Sequence, residues 1–112
     1  MTKIKIKKKQ ESIISVECDG HTGYGVQGED IVCSAISSIV QTAALGLLMV
    51  AAINVEIKRD DENAYFAIIL PEMMTEEQEH DSNVILNTML CGIQDLREEF
   101  SDFIELEVQN VY

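Results

Sequence analysis

The 112-residue sequence predicts an α+β domain in the order ββαββαβ, a mixed or antiparallel sheet with two main helices. Three observations carry that prediction. Short stretches near the start, middle and end of the chain alternate apolar with charged residues, as half-buried strands do. Two longer stretches repeat apolar residues at helical spacing. Turn-forming and acidic residues separate them. A chain of this length buries roughly two-thirds of its unfolded surface around one core. No linker, repeat or low-complexity tract divides residues 1–112, so one domain is expected.

Lys3–Lys9 sets Ile4 and Ile6 on one face and Lys3, Lys5 and Lys7 on the other. Gln10–Ser12 reads as a turn, and Ile13–Cys18 as the hairpin partner, with Ile14, Val16 and Cys18 facing inward. Cys18 then reads as a small core residue. After a glycine-rich loop, a helix is expected over about Ile31–Val50, N-capped by Asp30, whose carboxylate can accept from first-turn N–H groups. Ile36, Ile39, Val40, Ala43 and Leu47 make its apolar face, and Ser34, Ser37, Ser38 and Gln41 a narrow polar seam. So apolar a helix is expected to be buried on most sides. Gly46 within it costs about 1 kcal/mol of helix propensity, which points to a close neighbour.

Asn54–Arg59 alternates as a strand, Asp60–Asn63 turns, and Ala64–Leu70 is apolar on both faces, as a mid-sheet strand is. Pro71 ends it. Thr75-Glu76-Glu77-Gln78 has the form of a capping box, with the acidic run beyond it read as loop until Ser82. Ile85, Met89, Ile93, Leu96 and Phe100 mark the second helix, with Cys91 beside that stripe read as a core thiol. Ile104, Leu106 and Val108 alternate with Glu105 and Glu107 as the closing strand.

The formal net charge is −12. Residues 1–9 hold five lysines and no acid, so the remainder sets 20 acids against Lys58, Arg59 and Arg97. A body that acidic repels phosphate backbones, which argues against nucleic acid and for a basic partner. The plainer use of such charge is solubility. The apolar run Ala43–Ile53 is about half the length of a membrane span, so none is expected. The start, MTKIKIKKK, lacks the apolar region of a secretory signal. With three cysteines, an odd number, the expectation is a cytoplasmic protein with reduced thiols.

The chemistry concentrates in GHTGYGVQGEDIVCSAISS, residues 20–38, which holds four of the six glycines and one of the two histidines. Gly23-Tyr-Gly25-Val-Gln-Gly28 matches a dinucleotide fingerprint, but Glu29 and Asp30 put negative charge where a pyrophosphate would sit. Cys18, His21, Cys33 and either Cys91 or His80 could supply four zinc ligands, although the paired spacing of structural zinc sites is missing. A thiol nucleophile is the third reading. With Asp30 as cap, Cys33 falls in the first helical turn, where unpaired N–H groups and the helix dipole favour a thiolate. His21 stands twelve residues back across a supple loop, within reach as general base and acid. Helix-start or loop N–H groups could hold an oxyanion. Spacing alone leaves the plain alternative open, with Cys33 a small buried residue and His21 an exposed loop histidine.

Gly20-His21, Gly23-Tyr24-Gly25, Gly28, Asp30-Ile-Val-Cys33 and Ser37 together resemble the motif of the bacterial ribosomal-processing cysteine proteases, the Prp family. Thr22 and Ser34 stand where that family more often has alanine. The resemblance implies a homodimeric cytoplasmic endopeptidase that uses neither metal nor cofactor. Its substrate would be the N-terminal extension of large-subunit ribosomal protein twenty-seven, a basic protein, cut after an aromatic residue. It further implies Cys33 as nucleophile and His21 as general base and acid. Gly20, Asp30 and Ser37 would support the site, and Gly23, Gly25 and Gly28 its flexible loop. The competing class is a non-catalytic ribosome-assembly module with an idle thiol.

Overall fold

The computed structural model describes residues 1–20 and 29–111, with the side chains of Glu29 and Asp30 outside that description. Strands β1 (Thr2–Lys9) and β2 (Ser12–Asp19) precede helix α1 (Glu29–Leu45), which runs on into a π-helical turn, Gly46–Val50. Strands β3 (Glu56–Asp60) and β4 (Tyr65–Ile69), helix α2 (Glu76–Glu99) and strand β5 (Ile104–Asn110) complete the order ββαββαβ. The strands form one mixed sheet in the order β3-β4-β2-β1-β5. β1 and β5 run parallel, and the other neighbours antiparallel. β4 lies inside the sheet, as its two-sided apolar pattern requires.

The β1–β2 hairpin turns through Gln10 and Glu11, both at positive φ, the backbone of a two-residue type I′ turn. Further along, Lys7 pairs with Ser15 but Lys8 with Ile13, so Ile14 is an extra residue on β2. That bulge resets the alternation. Ile13 turns into the core, while Ile14, expected inward beside Val16 and Cys18, is only half-buried. Its carbonyl accepts from Leu70 N–H at 3.0 Å.

One face of the sheet carries Ile4, Ile6, Val16, Cys18, Phe66 and Ile68, and α1 and α2 close over it with Val32, Ile36, Val40, Leu47, Leu86, Met89 and Ile93. A β-carbon on Gly46 would meet Ile85 at 3.6 Å, and one on Gly92 would meet Ile39 at the same distance, so the glycines mark where the helices touch. The other face is polar along β1, β2 and β5, and β4 adds Tyr65, Ala67 and Ile69 to it. Register sets Lys3 between Asp19 and Glu105, and Lys5 between Glu17 and Glu107. Lys3 reaches Glu105 at 4.0 Å. Two of the strand's five lysines are thus flanked by acids on both sides, while Lys7 pairs with Ser15 and Gln109.

Three expectations are corrected. α1 is not buried on most sides, because the sheet covers one side and α2 one flank. Met49 is 77% and Val50 84% exposed, and Ile31 and Leu45 also face outward. Moreover, Ile31–Val50 is long and apolar enough to cross a membrane by length and composition, which the run Ala43–Ile53 taken alone missed. In the fold its inner residues belong to the core. Finally, α2 starts directly at Glu76 with no loop to Ser82. Thr75 Oγ1 accepts from Gln78 N–H at 3.1 Å, and Gln78 Oε1 accepts from Thr75 N–H at 3.0 Å. Glu76, Glu77 and Glu79 then sit in the first turn, where the helix dipole favours negative charge.

Candidate active site

Cys33 is the fifth residue of α1. Residues 21–28 ahead of α1 and the Asp30 side chain lie outside the described residues, and the expected Asp30 cap lies there with them. Side chains on a helix lean toward its N-terminus, so the thiol reaches back over the opening turn. Val32 beside it is buried in the core and fixes the rotation of the helix, which leaves Cys33 half-buried at the rim.

At that rim α1 meets the end of β2. A β-carbon added to Gly20 would lie 2.6 Å from Cys33 Sγ, so the thiol rests directly against the Gly20 α-carbon. Gly20 N–H donates to Ala64 O at 2.9 Å, which ties the end of β2 to the β3–β4 turn. Between these pieces lies a cleft of about 210 Å³. Cys33, Ser37 and Gln41 line one wall from α1, Cys18 and Phe66 the floor, and Arg59, Asp61, Ala64 and Tyr65 the other wall.

Charge in the cleft is unevenly placed. Burial, then the negative charge of a Cys33 thiolate and of Asp19, push the Cys18 thiol up to about 12. Cys18 therefore stays protonated beside Cys33 at neutral pH. Arg59 Nε donates to Asp61 Oδ1 at 2.7 Å on the exposed lip. Next to it, the Asn63 side-chain amide donates to Asp60 Oδ2 at 2.7 Å and holds that carboxyl below its ordinary range. Partial burial and then Glu17 and Asp19 raise the Tyr65 phenol. On α1, Gln41 Nε2 donates to Ser37 Oγ at 2.8 Å.

A family model described as cysteine protease Prp matches residues 1–105. The chain belongs to the Prp cysteine protease family. A curated relative, the ribosomal processing cysteine protease Prp of Staphylococcus aureus (strain Mu50), is 29% identical over 94 residues, covering 84% of this chain and 85% of its own. Two solved structures of the essential ribosomal processing protease Prp from S. aureus also superpose on the chain. The one in complex with a substrate peptide has a TM-score of 0.85 at 25% identity, covering 97% of this chain and 100% of the other. The one with a covalently linked product peptide has a TM-score of 0.81 at 26% identity, with the same coverage.

Among the described residues, Cys33 lines the cleft with its thiol half-buried. Gly20, Cys33 and Ser37 come together there. His21, Gly23, Gly25 and Gly28 lie outside the described residues, as does the side chain of Asp30. The zinc reading loses two of its ligands. Cys91, expected in the core, is exposed on the outer side of α2, and His80 is exposed beside Asp81. Among the described residues no three His, Cys, Asp or Glu side chains converge as a metal site. Sequence reasoning missed the wall made by Arg59, Asp61, Ala64 and Tyr65, which has no local signature. Gln41 was legible only as part of the polar seam, eight residues beyond Cys33.

Proposed function

We propose that this protease removes the N-terminal extension of large-subunit ribosomal protein twenty-seven during ribosome assembly, cutting after an aromatic residue. Cys33 is the nucleophile and His21 the general base and acid. The observation that carries the reading is the contact between Cys33 Sγ and Gly20, because the chain leads from Gly20 straight to His21. The covalently linked product peptide of the S. aureus relative supports a covalent intermediate in this chain as well.

In this mechanism the imidazole of His21 takes the Cys33 proton, and the thiolate attacks the scissile carbonyl carbon. N–H groups at the opening of α1 stabilise the oxyanion. As the tetrahedral species collapses, the C–N bond breaks and the imidazolium gives its proton to the leaving amine. Water, deprotonated by His21, then hydrolyses the thioester and restores the thiol. Asp30 caps the helix that carries Cys33, and Ser37 offers a hydroxyl one turn beyond the sulfur.

The reading includes a cytoplasmic homodimer and a basic polypeptide partner rather than nucleic acid. Exposed Leu45, Leu48, Met49 and Val50 give a second copy an apolar surface to cover. The excess of 20 acids over 8 basic residues favours approach of a basic chain. The test is to mix the protein with the N-terminal peptide of that ribosomal protein and weigh the products. Cleavage by the parent chain, abolished by Cys33→Ala and by His21→Ala, is expected. An intact peptide would reject the substrate, and cleavage by Cys33→Ala would reject the nucleophile.

A further inference from the structure

Residues four apart share one face of an α-helix, so Cys33, Ser37 and Gln41 stand in successive turns on the side of α1 that lines the cleft. A serine inside a helix commonly donates to the carbonyl four residues back. Thr88 on α2 does so, its Oγ1 donating to Val84 O at 2.7 Å. Ser37 is held differently, because its Oγ accepts from Gln41 Nε2 at 2.8 Å. A hydroxyl has two lone pairs and one proton. With a lone pair engaged on the Gln41 side, the proton is left to the hydroxyl's other directions, which include the turn that carries Cys33. The N-terminal lean of helical side chains points the same way.

We propose that Gln41 is a positioning residue: its amide orients the Ser37 hydroxyl to donate toward the negative charge that develops around Cys33 during the reaction. The inference rests on the reading of Ser37 as a supporting group of the site. A bare i,i+4 surface pair would add a few tenths of a kcal/mol to helix stability and leave catalysis untouched. The two accounts therefore part at kcat.

The test compares Gln41→Glu, Gln41→Leu, Ser37→Ala and the double variant Ser37→Ala/Gln41→Glu, all in the full chain. In Gln41→Glu the new carboxylate accepts the Ser37 proton and turns it from the cleft. The expected result is a loss in kcat of about tenfold, with KM within about twofold and Tm little changed. Gln41→Leu, which adds no charge, is expected to lose activity in the same direction by less. In the Ser37→Ala background the Gln41→Glu change is expected to add nothing, since its target is gone. The alkylation rate of Cys33 by iodoacetamide, read by mass, is expected to rank the variants the same way without any peptide.

Full activity in both Gln41 variants, with Ser37→Ala impaired, overturns the positioning role and leaves Ser37 in place. An equal loss in the Ser37→Ala background also overturns it, because Gln41 would then act on its own. A fully active Ser37→Ala removes Ser37 from the site and the proposal with it.

Discussion

Among the described residues, a methyl group on Gly20 would crowd the Cys33 thiol first and Ala64 second. The added β-carbon would stand 2.6 Å from Cys33 Sγ, 3.2 Å from Ala64 Cβ and 3.4 Å from Ala64 O. Carbon atoms in good contact sit about 3.5–4.0 Å apart and a sulfur is larger, so the thiol must retreat by at least about 1 Å. Gly20 is not in the left-handed region, so alanine can adopt its backbone and keep the hydrogen bond to Ala64 O. Alanine also lowers the entropy of the unfolded chain, worth about 0.4–1 kcal/mol, which offsets much of the crowding. Stability should therefore change by no more than about 1 kcal/mol, or about 4 °C in Tm. Activity should not escape with Cys33 as the proposed nucleophile, because a misplacement of about 1 Å can lose roughly a hundredfold in rate. That is about 2.7 kcal/mol of barrier. Gly20→Ala should thus separate the two readouts, with kcat/KM on the substrate peptide down about a hundredfold and the melting curve nearly unmoved. A variant that melts normally and cleaves within about threefold of the parent would refute the argument that Gly20 seats the thiol.

Four further outcomes follow from the same geometry. Because the Cys18 thiol is pushed up to about 12, the unfolded chain releases that proton first as pH rises past 9.0. Stability should fall above pH 9.0 by as much as ~1.4 kcal/mol per pH unit, and Cys18→Ala should show a shallower decline in Tm over that window. Iodoacetamide on the native protein should label Cys33 and Cys91 and spare Cys18, as mass mapping would show; equal labelling of all three would contradict their different burial. Thr75→Ala removes the acceptor of the capping box and should cost about 1 kcal/mol in a urea melt. Among the described residues the buried Thr2 Oγ1 has no hydrogen-bond partner, so Thr2→Val should leave stability unchanged or raise it by about 1 kcal/mol, and a clear loss would point to a partner for the hydroxyl.

Much of this molecule could be read from local pattern. Alternation in Lys3–Lys9 and Ile104–Val108, and helical spacing in α1 and α2, come from backbone periods of 2 and 3.6, which act over a few residues whatever the fold around them. The capping box at Thr75 is equally local, since its partners are three residues apart. The residues from Gly20 to Ser37 offered a thiol near a helix start, which left a plain core cysteine open, and it was the resemblance of their motif to the Prp family that indicated a protease. What packs against each element was beyond that reach. The bulge that turns Ile13 inward depends on the partner strand, and the exposure of Cys91, Met49 and Val50 depends on how far the sheet extends beneath the helices. The cleft itself joins Cys33 to Arg59, Asp61 and Tyr65, more than twenty-five residues away in sequence. Sequence periodicity states which face of an element avoids water, while only the assembled layers decide what covers that face and what stays open beside the thiol.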